Sequence, residues 1–185
     1  MKFWHFPIKQ KHLTPHTRKA KKRKESFDTK VFRAGKRLTI PQLKKKCWKL
    51  FSIYIRMRGC LETTGSLEYG ECFTCDNPPQ HEFRNLQAGH FIAGRHNANL
   101  FSEKGTQLQC RRCNIFLHGA PLEFRKRLIE KYGEGIIEEL ENEAHQVKRF
   151  TIPELLSMID YYKERIEFMK AQNKIPVLSE LTKCL

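Results

Sequence analysis

The sequence predicts an α+β fold in which helices flank a middle segment of short strands and paired cysteines. Apolar residues recur at helical spacing after residue 39 and again from about residue 121. Between these stretches, turn residues and two C-x2-C pairs leave room only for short strands. At 185 residues, the chain is long enough for one domain of ordinary size with an appendage.

A basic arm is predicted over residues 1–38. Residues 1–46 hold 16 Lys and Arg against two acids, and so carry +14 of the formal net charge of +15. Such a polycation neutralises phosphates and releases counterions, which predicts a flexible arm that binds nucleic acid. A solvated tail, a transit peptide and a nuclear address are the alternatives. The arm's candidate DNA contacts are Lys21, Lys22, Arg23 and Lys24.

Residues 39–185 are predicted to form the folded domain, which opens with a helix. Thr39 and Gln42 have the spacing of a capping box, and Pro41 suits a first helical turn. Gly59 is expected to end this helix. The apolar stripe that we interpret as core consists of Leu43, Cys47, Leu50, Phe51, Tyr54 and Ile55.

Residues 70–120 are predicted to form a compact core around the paired cysteines. Glycines and prolines indicate that residues 59–85 are mostly loop. Apolar and polar residues alternate over 86–92, which predicts a short strand with His90 on its apolar side. A second short strand is expected near 107–109.

The C-terminal part, residues 121–172, is predicted to be helical. Helices are expected over 121–132, closed by Gly133, over 134–146, and from Thr151 onward. The apolar face of the last helix packs either onto the domain or between subunits. It consists of Leu155, Ile159, Tyr162, Ile166 and Met169.

Four of the seven cysteines form two C-x2-C pairs, a pattern typical of metal ligation. Cys72, Cys75, Cys110 and Cys113 are therefore predicted to hold one structural Zn²⁺, with iron as the alternative metal. The pairs are separated by 34 residues, more than the about 15 to 20 of a plain zinc ribbon, so a further element is expected between them. The cysteines left over, which are expected to be free, are Cys47, Cys60 and Cys184.

No membrane segment is expected. The longest uncharged, mostly apolar stretch is residues 50–55, whereas a membrane-spanning helix needs about 20 residues. No signal peptide is visible either, because charged and proline residues interrupt the first apolar positions. We therefore expect a cytoplasmic protein, which stays in a reducing compartment.

A closed four-cysteine site leaves no position for water, so hydrolysis would need a second site. The candidates are His90 on the first strand and Asn114 and His118 just beyond the second cysteine pair. If the chain is helical from Asn114, the i, i+4 spacing places Asn114 and His118 on one face, opposite His90. A strand histidine, a zinc knuckle and a polar residue directly after it resemble the HNH, or ββα-metal, nucleases.

A more specific resemblance is to the NinG/Rap family of phage recombination endonucleases. It covers about residues 40–170 and implies a small HNH-like ββα-metal core. It also implies metal-dependent cleavage of branched DNA, such as Holliday junctions and D-loops. The matching segments and residues are 87–92, Arg95, Phe101, 109–114, Gly119, 128–133 and 150–152.

The resemblance gives each candidate residue a role. His90 is the general base that activates water, Asn114 is a ligand of a catalytic Mg²⁺ or Mn²⁺, and His118 stands where many HNH proteins have their last metal ligand. Because a neutral imidazole is needed, activity is expected to fall at mildly acidic pH. The arginines expected to contact phosphates are Arg95, Arg111 and Arg112.

The expected substrate also predicts an oligomer. A homodimer is expected because a four-way junction is two-fold symmetric and paired incisions need two active sites. Recombination proteins are expected as further partners.

Three positions depart from the family pattern. Gly89 stands where HNH nucleases usually have an acidic or histidine ligand, Gly105 where related chains usually have Asn, and Ala120 where the family usually has Asn. One ligand of the catalytic metal is therefore unassigned. The polar candidates for it are Gln87, Asp76, Glu82 and Glu103.

Two other classes of protein stay open. A non-catalytic zinc-knuckle DNA-binding module fits if Gly89 and Gly105 mark a decayed site, and a redox or iron protein fits the four cysteines alone. Metal-dependent nicking separates the nuclease from the binding module, and colour identifies an iron protein.

Overall fold

The computed structural model describes residues 38–76, 78–94 and 96–173. The elements, in chain order, are α1 (Ile40–Thr64), β1 (Tyr69–Glu71), β2 (Gln80–Glu82), β3 (Leu86–His90), β4 (Thr106–Cys110), α2 (Pro121–Tyr132), α3 (Ile136–His145) and α4 (Ile152–Asn173). A 3-10 turn (Phe83–Asn85) precedes β3, and a π-helical turn (Arg112–Phe116) follows β4. The combination of helices and small sheets confirms the α+β prediction. Within the described residues, no helix is both long and apolar enough to cross a membrane.

Several predicted features lie outside the described residues, so their roles stay predictions. These features are the basic arm up to residue 37 with Lys21, Lys22, Arg23 and Lys24, and the residues Arg95 and Cys184.

Helix α1 begins where predicted and ends later. The Gln42 side chain accepts a hydrogen bond from the Thr39 backbone N–H (2.9 Å), which satisfies one donor at the helix start. The prediction that Gly59 ends the helix is wrong, because α1 continues until Gly65, whose φ of 69° terminates it. Gly59 is instead a packing residue: a Cβ there would lie 2.6 Å from the Cβ of Leu108 on β4.

The main core lies between α1 and α4. All five residues of the predicted α4 face are buried. Ring pairs join the two helices, for example Phe51 and Tyr162 with centroids 5.3 Å apart. The α4 face therefore packs onto the domain rather than between subunits. The α1 stripe is buried as predicted except at Leu50, which is partly exposed.

Two antiparallel ribbons form the middle of the chain. β3 pairs with β4 from Leu86 opposite Cys110 to His90 opposite Thr106, and the two form a hairpin. Both predicted short strands are therefore present, although β3 ends two residues earlier than expected. The prediction that residues 59–85 are mostly loop is wrong, since the end of α1 and the paired strands β1 and β2 lie there. Strands of three residues carry too little alternation to be recognised in a sequence.

A second, smaller core joins α2 and α3 to the hairpin. Helix α2 has the predicted bounds, and α3 lies within the predicted stretch. The ring of Phe124 on α2 packs against Phe73, beside the first cysteine pair, and against Phe91, just after β3, at 5.1 and 5.7 Å between centroids. Helices α2 and α3 therefore support both the turn that carries Cys72 and Cys75 and the end of the β3–β4 hairpin.

Candidate functional site

Four cysteine sulfurs converge at one point of the structure. The Sγ atoms of Cys72, Cys75, Cys110 and Cys113 all lie within 4.8 Å of one another. The Cys75 sulfur is 3.8 Å from that of Cys110 and 3.4 Å from that of Cys113. A tetrahedral zinc with Zn–S bonds of about 2.3 Å needs sulfurs about 3.8 Å apart, so this donor set fits Zn²⁺.

Strand ends and turns bring the cysteines together. Cys72 follows β1, Cys110 is the last residue of β4, and Cys113 lies in the π-helical turn. The Phe73 N–H donates to a β4 carbonyl (2.7 Å), which ties the first pair to β4. Burial raises the pKa of the Cys75 thiol, and the adjacent Cys113 side chain raises it further. Thiolates crowded in this way need a cation between them.

A group of side-chain amides lies between the hairpin and the turn that follows it. We call Gln87, Gln109 and Asn114 the amide cluster. The Asn114 Nδ2 donates to the Gln87 Oε1 (2.6 Å). The Gln109 Nε2 donates to the Thr74 hydroxyl (2.9 Å) and to the Gly119 carbonyl (2.8 Å). The cluster thus connects β3, β4 and the turn after the second cysteine pair.

Gly89 lets two amide oxygens of the cluster come close to the β3 backbone. A Cβ at this position would lie 1.9 Å from the Gln109 Oε1 and 3.0 Å from the Asn114 Oδ1, so both oxygens approach the space that a side chain would fill. The Gln109 Oε1 is buried and has no hydrogen-bond partner among the described residues. Amide oxygens are hard ligands suited to Mg²⁺ or Mn²⁺. The residues present therefore fit a hard divalent cation.

Of the four residues proposed as the unassigned metal ligand, Gln87 is the one that contacts Asn114. The three carboxylates have other partners in the structure. Asp76 and Glu82 each form an ion pair with an arginine, and Glu103 binds both a tyrosine hydroxyl and an arginine. Gln109 was not among the candidates, because a glutamine beside a cysteine ligand carries no recognisable signal in a sequence.

His90 stands at the end of β3 with its ring against α1. The ring stacks on Trp48, with centroids 5.2 Å apart and an interplanar angle of 20°. Its Nε2 lies 3.2 Å from the Leu100 carbonyl. A carbonyl can only accept, so Nε2 carries a proton and Nδ1 carries the lone pair of the neutral ring. Side chains of neighbouring strand residues point to opposite faces of a strand. Asn114 lies on the face to which a Gly89 side chain would point, so the His90 ring lies on the opposite face of β3.

His118 is not positioned as expected. The chain is helical from Arg112 to Phe116, but the turn is π-helical and is closed by a hydrogen bond from the Gly119 N–H to the Cys113 carbonyl (2.8 Å). His118 lies beyond it, exposed and in a left-handed conformation with φ 48°. The expectation that Asn114 and His118 share one face of a helix is therefore wrong.

A groove lined by arginines opens beside the amide cluster. It has a volume of about 670 Å³, and its lining includes Gln87 together with Arg84, Arg111 and Arg112. Arg111 and Arg112 are exposed there, as a contact with phosphates requires, and Arg84 adds a third cation that sequence reasoning missed. The Arg111 guanidinium lies 5.5 Å from the ring centroid of Phe116, whose exposed fraction is 65%.

Asn99 also contributes to the site, although sequence reasoning missed it. Its Nδ2 donates to the Ile92 carbonyl (3.3 Å), which holds the loop so that the carbonyl of the next residue meets His90. Gly105, where related chains usually have Asn, instead accepts the Phe91 N–H at its carbonyl (2.8 Å). The Asn99 side chain, and not a side chain at position 105, therefore holds this loop in place.

The family model described as Bacteriophage Lambda NinG protein matches residues 6–172 of the chain. The chain belongs to the NinG family. The NinG match spans the four cysteines, the amide cluster and His90. Comparisons with curated proteins and with solved structures gave no match. Membership in the NinG family connects the chain with phage recombination.

Proposed function

We propose that the chain is a metal-dependent, structure-selective DNA endonuclease that hydrolyses phosphodiesters in branched recombination intermediates, such as Holliday junctions and D-loops. The observation that carries the proposal is the arrangement around Gly89. The His90 imidazole, which is oriented by the Leu100 carbonyl, lies on one side of Gly89. The amide oxygens of Gln109 and Asn114, which fit a hard cation, lie on the other side. The NinG family's connection with phage recombination supports this substrate class.

Different residues of the site carry out proton transfer, metal ligation and phosphate binding. With its Nε2–H held by the Leu100 carbonyl, His90 has Nδ1 as the atom that takes a proton from the attacking water. Asn114, with Gln87 beside it, is the ligand position for Mg²⁺ or Mn²⁺. A bound divalent cation supplies stabilisation for the negative charge that develops on the leaving oxygen. Arg111 and Arg112 hold phosphates in the groove.

The other parts of the proposal concern metal and assembly. The four cysteines hold one structural Zn²⁺ that fixes β4 to the π-helical turn. Two copies of the chain form a homodimer that matches the two-fold symmetry of a four-way junction. The basic arm adds affinity for DNA that does not depend on sequence.

Cleavage of a labelled four-way junction and of a matched linear duplex tests the proposal, with Mg²⁺, Mn²⁺ or EDTA. Wild type is expected to cut the junction only with a divalent metal. His90→Ala is expected to lose cutting by about 100-fold or more while its binding to the junction stays unchanged. The matched control is His145→Ala, which removes an exposed histidine from α3 and is expected to cut as wild type does.

A non-catalytic zinc-knuckle DNA-binding module is the second candidate. It is favoured by the chemistry of the amide cluster, whose three side chains are all neutral. Tight binding to the junction without cutting in any metal would establish this second candidate and contradict the nuclease.

A further inference from the structure

We propose that Gln109 is a further metal ligand, so that the amide oxygens of Gln109 and Asn114 together hold the divalent cation at Gly89. The inference rests on the proposed function, since it concerns the same site. In this arrangement the cation is held by neutral amide oxygens, in place of a carboxylate at position 89.

The orientation of the Gln109 amide is fixed by its surroundings. Its nitrogen lies 2.8 Å from the Gly119 carbonyl, which can only accept a hydrogen bond. A flipped amide would bring two carbonyl oxygens together, so Nε2 must face Gly119 and Oε1 must face Gly89. The acceptor that points into the cluster is therefore assigned by chemistry.

The Gln109 Oε1 is also a buried acceptor that the described residues leave without a donor. The whole residue is 0% exposed. Buried polar atoms in native proteins are almost always satisfied by a protein group, a water or an ion. The nearby Asn114 Oδ1 approaches the same space, and two acceptors that approach one space are suited to a cation.

Gly89 and Gln109 form a matched pair. A Cβ at position 89 would lie 1.9 Å from the Gln109 Oε1, far below a van der Waals contact. An acidic side chain at 89 would therefore require the end of the Gln109 side chain to move from its present position. The glutamine oxygen occupies the space that an acid at 89 would need.

The cysteine site helps to position this ligand. The Thr74 hydroxyl, which accepts a hydrogen bond from Gln109 (2.9 Å), lies 3.5 Å from the Cys72 sulfur. Thr74 is buried between the two. The turn that carries the first cysteine pair thus holds the Gln109 amide in place.

Binding of Mn²⁺ to the zinc-loaded full-length protein in the absence of DNA tests the proposal. Electron paramagnetic resonance of free Mn²⁺ gives the affinity independently of cleavage. Gln109→Leu, which keeps the side-chain volume and removes the oxygen, is expected to weaken Mn²⁺ binding by about tenfold or more at unchanged zinc content. The matched control is Gln107→Leu, which removes a buried glutamine of the same strand that contacts Tyr132 and Lys131 instead.

A second variant keeps the proposal falsifiable if Gln109→Leu fails to fold. Gly89→Asp/Gln109→Ala moves the oxygen ligand to position 89 as a carboxylate and is expected to bind Mn²⁺ more tightly than wild type. Gly89→Asp alone is expected to lower the melting temperature, because the new side chain meets Gln109.

The outcomes separate this inference from the proposed function. Mn²⁺ affinity in Gln109→Leu equal to that of wild type would overturn the inference, and the oxygen would then be satisfied by water or by a rotated Asn114 amide. Absence of Mn²⁺ binding to wild type would overturn it as well. Metal binding that depends on Gln109, without cutting of any junction, would support Gln109 as a metal ligand and contradict the proposed nuclease activity.

Discussion

Residues 89 and 109 illustrate how one missing side chain can decide the chemistry of a site. Gly89 has no Cβ, and the space it leaves is approached by amide oxygens from β4 and from the π-helical turn. In comparison with the usual HNH pattern, this glycine stands where an acidic metal ligand is missing. In the structure, the same glycine makes room for Gln109, a residue that is distant in sequence but lies diagonally across the hairpin.

Two thiols outside the cysteine site behave as core residues. Cys47 and Cys60 are free and fully buried, which confirms the prediction for these two. Burial raises the pKa of Cys47 to about 12 and that of Cys60 to about 11. Because the thiolate is the reactive form, both side chains stay neutral and inert near pH 8.

Alkylation with iodoacetamide at pH 8, mapped by mass spectrometry, checks this behaviour in a Cys184→Ser background. Cys47 and Cys60 are expected to stay unlabelled in the native protein, with or without a zinc chelator. The four cysteines of the metal site are expected to become labelled only after chelation, as one zinc per chain is released. Rapid labelling of Cys47 before chelation would contradict the burial of that thiol, and a coloured protein would identify iron instead of zinc.

At the scale of elements, the close approach of α1 to β4 depends on a glycine in the middle of a helix. Glycine lowers helix stability by about 1 kcal/mol relative to alanine, so Gly59 would be unfavourable in an isolated helix. Here the Cβ of Leu108 fills the space that a Gly59 side chain would need. The packing of a strand against α1 thus outweighs the intrinsic preference of one residue, and the helix passes through the expected stop.

The substitution Gly59→Ala tests this packing. Although alanine favours helices, the clash with Leu108 is expected to lower the free energy of unfolding by about 1–3 kcal/mol. Denaturant unfolding measures the change. Lys45→Ala, at an exposed position on the same helix, is the matched control, with an expected change within about 0.5 kcal/mol. A stabilised Gly59→Ala protein would show that α1 and β4 can separate at little cost.

The whole molecule combines a nearly neutral domain with a strongly basic N-terminal quarter. Residues 1–46 carry +14 of the net charge of +15, so the remaining 139 residues sum to +1. Within the domain, three arginines line the groove beside the amide cluster. Under the proposed function, phosphate contacts from the arm supply affinity, whereas the groove and the paired sites of the proposed dimer select the branched substrate.

The salt dependence of binding tests the contribution of the arm. A variant with Lys21, Lys22, Arg23 and Lys24 all changed to Gln is expected to bind a four-way junction and a linear duplex more weakly, by the same factor for both. The slope of log K against log salt, measured by fluorescence anisotropy between about 50 and 200 mM salt, is expected to fall by about 0.9 per lost phosphate contact. An unchanged slope would exclude these four residues from the interface, and loss of junction binding alone would assign them to substrate selection.

The sequence by itself determined the elements whose signals are local. The capping residues at Thr39, the apolar periodicity of α4 and the alternation over β3 each depend on neighbours within a few residues, so their helices and strand could be predicted. The paired cysteines could be recognised because metal ligation imposes a fixed spacing within each pair. Family membership came from the same kind of signal, since the motif residues lie in continuous segments.

Only the tertiary structure decided which distant side chains meet. It joined Gln109 to Thr74, placed the His90 ring on the opposite face of β3 from Asn114, and paired Asp76, Glu82 and Glu103 with other side chains. It also moved His118 out of the expected helix, because closing the turn on Cys113 selected a π-helical geometry. Such contacts join residues that are far apart in sequence, and their geometry depends on hydrogen bonds and packing volumes that a linear pattern does not contain.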